Sequence, residues 1–137
     1  MSEKTRRIER ERALSLLYEA EMKDESIDDI LAALPAAPAP FVIDIVVGVG
    51  HSAAELDEHI NKHAIDWEVG RMAVLDRSLL RISTWEFLHR PQLSVAVIIS
   101  EAVELAKQFS TDESGKFVNG ILSAIAADVR SGQRASG

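Results

Sequence analysis

The sequence predicts an all-α fold of two small helical bundles sharing one core. Only four prolines and seven glycines interrupt 137 residues, and the segments between them are rich in Ala, Leu, Glu and Ile at three- and four-residue apolar spacing. No segment alternates like a strand for long. The connecting stretches are short, so each helix must pack on its neighbours in sequence.

The first helix is expected over 4–22, with Ala13, Leu14, Leu17 and Tyr18 on one face. A short helix over 26–34 follows, Ser26 serving as N-cap and Asp28 and Asp29 favouring its first turn. The proline-rich stretch 35–40 breaks the chain. A third helix over 41–63 turns Val42, Ile45, Val46, Val49, Leu56 and Ile60 inward, with 48–50 as its weak point. Asp66-Trp67-Glu68-Val69 reads as a turn that packs an indole against the body. The fourth helix, 72–89, carries Val74, Leu75, Leu79, Ile82, Trp85 and Phe87 or Leu88, and Arg90-Pro91 ends it. The fifth, 95–109, is nearly all apolar on one side and is expected to be the most buried. A polar connector over 110–115 leads to a last helix over 116–129. Residues 1–130 thus form one domain, and 131–137, without an apolar anchor, are expected to be a disordered tail.

Composition excludes several classes of function. The absence of cysteine excludes a disulfide scaffold, thiolate zinc, an iron-sulfur cluster and a thiol nucleophile, and fits a reducing cytoplasm. The charged opening lacks the apolar run of a signal peptide. The apolar stretches 41–50 and 94–99 fall well short of the roughly 20 residues that span a bilayer. A soluble, cytoplasmic protein without a membrane partner is expected.

Charge is unevenly distributed. Overall it is -7, which argues against a protein that coats nucleic acid over its whole surface. The first twelve residues nevertheless hold Lys4, Arg6, Arg7, Arg10 and Arg12 against Glu3, Glu9 and Glu11, a net of +2, and the remainder carries -9. A small basic end on an acidic body predicts a local anion site.

Arg6, Arg7 and Arg10 lie within one arc of the first helix, and that arc continues into Leu14, Leu17 and Tyr18. Guanidinium groups do not bury without partners. The simplest expectation is that the first two turns extend past the bundle edge or fray, leaving the arginines to meet phosphates. Tyr18, on the same line, offers a ring for base stacking. On composition alone the competing reading is favoured: a solvated helix end solubilised by interleaved Glu3, Glu9 and Glu11, with Tyr18 a core aromatic.

No catalytic constellation stands out. His59 and His63 have the helical spacing of metal ligands, with Glu55 one turn earlier, but His-Ile-Asn-Lys-His lacks the glutamate of a metalloprotease helix. Ser114-Gly115-Lys116 is followed by Phe117 where a phosphate loop needs Ser or Thr, and Gly48-Val-Gly50 lacks a third glycine and a preceding strand. The expectation is no enzyme, no metal and no cofactor.

Three segments carry a family resemblance. They are Arg6-Arg-Ile-Glu-Arg10-Glu-Arg-Ala13-Leu-Ser-Leu-Leu-Tyr18-Glu; Leu75-Asp76-Arg77-Ser-Leu-Leu80-Arg81-Ile-Ser-Thr-Trp85-Glu86; and Val97-Ile-Ile-Ser-Glu101 through Lys107-Gln-Phe109-Ser-Thr-Asp112-Glu113-Ser-Gly-Lys116-Phe117-Val-Asn119-Gly120. In order and spacing they resemble the NusB family of transcription antitermination factors over nearly the whole chain, apart from 35–40 and the tail.

The resemblance implies two three-helix bundles. It also implies binding of the boxA element of ribosomal RNA operon transcripts, jointly with the small-subunit ribosomal protein NusE, in an RNA polymerase antitermination complex. By position, Arg6, Arg7 and Arg10 would contact RNA with Tyr18 and Phe109 close by, while Asp76, Glu113 and Phe117 would lie on the NusE side. Phe117 also has the spacing of a core residue, and Asn119 and Gly120 read as structural.

Ile8 and Glu9 stand where family members often carry a basic residue and alanine, so the patch is thinner here and its RNA affinity depends more on the partner. A homodimer through the same face is possible on this reading. Two alternatives remain: a helical protein-interaction module without an RNA role, and an accessory domain like those preceding the catalytic domain of some ribosomal RNA cytosine methyltransferases. Those chains run on into a Rossmann-like domain, and this sequence stops at Gly137.

Overall fold

Helix α1, Glu3–Lys23, matches its expected span and ends on a motif absent from the sequence reading. Asp24 takes the left-handed conformation at φ 53°. Its N–H bonds the Glu21 carbonyl at 3.2 Å and that of Glu25 bonds the Ala20 carbonyl at 3.0 Å. This is the Schellman arrangement, with aspartate in the place glycine usually takes. The coordinates are a computed structural model, and they describe residues 3–65 and 68–130. The expected Asp66-Trp67 turn and the tail 131–137 lie outside the described residues.

Helix α2, Ile27–Ala32, starts as expected, with the Ser26 hydroxyl accepting from the Asp29 N–H at 3.1 Å. The proline stretch then delivers Pro40 to the first turn of α3, Pro40–His51, where its missing N–H costs nothing. The long third helix expected over 41–63 is two helices, α3 and α4, Ala53–His63, joined at Ser52. The break falls after the glycines, because they serve packing. A Cβ at Gly48 would overlap the Trp85 indole, and one at Gly50 would come within 2.6 Å of Ile27 Cγ2.

A single 3-10 turn, Val69–Arg71, precedes α5, Val74–His89. Helix α6, Val95–Phe109, is capped by the Ser94 hydroxyl and has its expected span. Helix α7, Asp112–Val129, starts four residues before the expected 116. The polar connector supplies its first turn: the Thr111 hydroxyl accepts from the Ser114 N–H at 3.0 Å, and Asp112 and Glu113 sit at the positive end of the helix dipole.

The described residues therefore hold seven α-helices where six were expected. Helices α1, α2 and α3 pack on one another, as do α5, α6 and α7, and α4 lies against α5 and α7. Helix α5 joins the halves by touching α1, α3, α4, α6 and α7. For that reason α5, and not α6 as hydropathy suggested, is the most enclosed helix. It buries nine residues, among them Asp76, Ser78, Ser83, Thr84 and Glu86, against five in α6. One continuous core runs from Leu14, Leu16 and Leu17 through Ile45, Leu56, Ile60, Leu79 and Leu80 to Ile98, Leu105, Leu122 and Ile125.

The C-terminal end of α5 is held from outside its own helix. Arg130, buried just beyond α7, donates to the carbonyl oxygens of Glu86, Phe87, Arg90 and Leu93. These include carbonyls a helix terminus leaves without intrahelical partners. No described helix is long and apolar enough to cross a membrane.

Candidate functional site

Helices α1 and α5 run antiparallel, so that Arg10 faces Glu86 at one end and Glu21 faces Arg77 and Arg81 at the other. Arg10 lies directly below Ala13, Leu14 and Leu17 on the inward face of α1 and is itself 2% exposed. Its Nε donates to Glu86 Oε1 at 3.0 Å and its Nη2 to Glu86 Oε2 at 2.9 Å. Arg7 reaches α6, where Nε donates to Glu101 Oε2 at 2.6 Å and Nη2 to Oε1 at 3.0 Å. Its side chain remains 46% exposed while Glu101 is buried. The Arg6 guanidinium lies over the Phe41 ring, 4.5 Å from the centroid.

The expected overhang of α1 is therefore corrected. Its arginine-bearing turns are docked on the body, because α5 and α6 each present a buried carboxylate to receive a guanidinium. The sequence held a sign of this. Glu86 follows Leu79 and Ile82 at helical spacing, and Glu101 falls between Ile98 and Leu105, so both acids occupy inward positions that only a cation could satisfy.

Of the three arginines, Arg6 and Arg7 are partly open to solvent and Arg10 is not. Glu9 is half-buried, with Oε2 lacking a hydrogen-bond partner. Lys4 and Arg12 are exposed.

Tyr18 and Phe109 come together at the surface. Each is 40% exposed, so Tyr18 is not the core aromatic of the alternative reading. With Glu11, Leu14, Ser15 and Leu75 they line a shallow depression of about 280 Å³.

Next to it, across the Leu75–Asp76 step of α5, a second depression of about 310 Å³ is lined by Arg71, Met72, Ala73, Asp76, Thr111, Glu113, Ser114 and Phe117. Phe117 is half-buried there and packs against the core from its edge, so it belongs to both. Glu113 is fully out in solvent near Lys116, at 3.5 Å. Asp76 is buried. Its Oδ2 accepts from the Ser114 hydroxyl at 3.2 Å, Oδ1 has no hydrogen-bond partner, and burial pushes its carboxyl pKa up against the opposing effect of Ser114.

The histidine pair resolves differently. His63 meets Asp128 at 3.0 Å, beside Lys62 on the same carboxylate.

Sequence reasoning missed Phe41, Glu86, Arg90, Glu101 and Arg130. It also missed the network in which Glu21 receives Arg77 and Arg81 while Arg81 reaches Asp57 at 2.7 Å. Hydrogen bonding from Arg77 is the main force holding the Glu21 carboxyl below its ordinary pKa, with Arg81 adding to it and burial opposing.

Two helical bundles clasped by an α1–α5 ion pair, with two depressions side by side on the outside, define an all-α two-bundle domain that offers binding surfaces. The NusB family model matches residues 7–127. The transcription antitermination protein NusB of Chloroherpeton thalassium is 40% identical, over 93% of this chain and 64% of its own length. That of Sorangium cellulosum is 40% identical over 88% and 90%. Among solved structures, T. maritima NusB superposes with a TM-score of 0.81 at 32% identity, covering 90% of this chain and 91% of that one. The antitermination factors NusB and NusE in complex with double-stranded RNA give a chain with a TM-score of 0.76 at 23% identity, covering 90% and 96%, a likeness of fold. The chain belongs to the NusB family.

Proposed function

We propose that this protein is a cytoplasmic transcription antitermination factor that acts by binding and not by catalysis. It takes boxA RNA of ribosomal RNA operon transcripts together with NusE, within an RNA polymerase antitermination complex. The observation that carries this reading is the adjacency of two unlike surfaces. The Tyr18–Phe109 depression, at the end of the face that bears Arg6 and Arg7, offers rings and guanidinium groups suited to bases and phosphates. The Asp76–Glu113–Phe117 depression, one residue away along α5, offers the exposed Glu113 carboxylate and the Phe117 ring edge, beside Arg71, to a protein partner. RNA and NusE bound there would touch each other, which makes their binding mutually supportive. Family membership and the NusB–NusE pair solved with RNA support the same assignment.

Arg10 is given a positioning role: its pairing with Glu86 sets the angle at which α1 presents Arg6 and Arg7. The test is fluorescence anisotropy on a boxA RNA oligonucleotide, with and without NusE. Binding tightened by NusE and weakened steeply by salt is expected. RNA affinity no better than for a scrambled oligonucleotide, with NusE present, would remove the boxA assignment.

A further inference from the structure

The NusB-type reading places RNA on α1, yet the most unusual concentration of charge lies where α1 meets α3 and the end of α5. Three guanidinium groups surround the Phe41 ring. Arg6 and Arg90 approach its centroid to 4.5 and 4.4 Å and Arg10 to 5.6 Å. Two carboxylates face this cluster. Glu86 has both oxygens engaged by Arg10. Asp44, 66% exposed, stands 3.6 Å from Arg90, beyond hydrogen-bond length. Arg90, its side chain 12% exposed, thus rests on the rings of Phe41 and Trp85, with Asp44 as a loose, solvated partner and Glu86 acting on it without a direct bond.

The donors show the same imbalance. Arg6 Nη1, Arg10 Nη1 and Arg90 Nε are all buried without a hydrogen-bond acceptor. Buried charged donors left unmet are costly, and with Arg10 sealed it is the partly open Arg6 and Arg90 that an anion bringing acceptors can reach. Burial is the main influence against the charge on Arg90; Glu86 and Asp44 oppose it, and the neighbouring guanidiniums of Arg6 and Arg10 add more weakly to it. A helix C-terminus would ordinarily repel an anion. Here Arg130 already occupies the carbonyls of Glu86, Phe87 and Arg90.

We propose that Arg90 is a phosphate-binding residue of the RNA surface, forming with Arg6 a two-guanidinium clamp that is seated on Phe41 and takes one phosphodiester of the bound strand. The inference rests on the RNA-binding reading above. It extends the footprint: Arg6 and Tyr18 are twelve residues apart on α1, or about 18 Å at 1.5 Å per residue, and Arg90 lies at the Arg6 end. A strand touching the Tyr18–Phe109 depression and the clamp would follow the length of α1 and leave it over α5, towards the groove lined by Trp85, His89 and Gln92.

The experiment is anisotropy of the boxA RNA oligonucleotide with the full chain and NusE, as a function of salt, for wild type, Arg90→Gln, Arg90→Lys and Asp44→Asn. Loss of one charge-assisted phosphate contact predicts about a five-fold or greater weakening for Arg90→Gln. It also predicts a salt slope smaller by about 0.7. Arg90→Lys keeps the slope and recovers part of the affinity. Asp44→Asn, a change at an exposed side chain that leaves the fold undisturbed, tightens binding by freeing Arg90 of its competitor. Wild-type affinity and slope in both Arg90→Gln and Asp44→Asn would overturn the clamp while leaving RNA binding in place. Failure of wild type itself to bind the RNA would overturn the underlying reading and the clamp together.

Discussion

Arg10 and Glu86 face each other across the α1–α5 interface with two parallel hydrogen bonds, and neither side chain is more than 3% exposed. Their pairing joins the N-terminal bundle to the helix around which the rest of the molecule packs. Removing one member leaves the other as an uncompensated buried charge. Arg10→Ala is therefore expected to destabilise the fold by about 3–5 kcal/mol, measured by urea unfolding. Replacing both residues by apolar ones of similar volume should recover most of that loss. A midpoint for Arg10→Ala equal to wild type would refute the structural role. An RNA-binding defect in any variant containing Arg10→Ala has to be read together with its unfolding curve.

Arg130 closes the far end of α5 through four main-chain carbonyls. Arg130→Ala should cost about 2–3 kcal/mol, on the scale of hydrogen bonds to a charged group. Amide exchange should quicken first around residues 86–93. Exchange unchanged in that segment would show that the α5 terminus does not depend on Arg130.

Asp24 occupies a left-handed position that glycine adopts without strain. Asp24→Gly should raise stability by about 0.5–1 kcal/mol in thermal or urea melts, since the Schellman bonds are made by the main chain and survive the change. A lower melting temperature would show that the Asp24 side chain contributes something the backbone does not.

Glu21 and Asp76 link stability to pH in opposite senses. The pKa of Glu21 is lowered in the folded state, chiefly by Arg77. Its contribution is therefore present above the ordinary value of 4.5 and is lost as pH falls through the lower folded value. The advantage of wild type over Glu21→Gln should be full at neutral pH and shrink below 4.5. Asp76 is raised by burial, so it favours the fold below its ordinary 3.8 and ceases to do so as pH rises through the folded value. Asp76→Asn should gain on wild type as pH rises from acid to neutral. Parallel pH profiles for all three proteins would contradict both assignments.

Tyr18 and Phe109 project from the surface, so Tyr18→Ala and Phe109→Ala should leave the melt nearly unchanged while weakening boxA RNA binding by about 1–3 kcal/mol per lost stacking contact. Glu113→Arg, at a solvated site, should weaken capture by NusE without altering RNA binding in its absence. Undiminished NusE capture by Glu113→Arg would take that residue off the partner surface.

Helix number and order were largely legible because apolar spacing and capping residues act locally. Ser26 and the proline stretch did in the structure what their chemistry predicts. The errors fell where a local signal had two meanings. Gly48 and Gly50 read as a weak point of the helix and turned out to be contact points for Trp85 and Ile27. Thr111-Asp-Glu-Ser114 read as a connector and proved to be the capped first turn of α7.

By itself the sequence determined the all-α class, the inward faces of the helices, the basic N-terminal turns and the family resemblance, because each depends on residue types at short spacing or on motif order. The tertiary structure alone decided which arginines reach solvent. Arg6, Arg7 and Arg10 share one arc of α1, yet Arg10 is sealed against Glu86, Arg7 is half-open on Glu101, and Arg6 shares the Phe41 ring with Arg90. The guanidiniums of Arg10 and Arg7 find their acceptors only where a carboxylate from another helix meets them. That meeting is set by the packing of α1 on α5 and α6, between residues 76 and 94 positions apart in the chain.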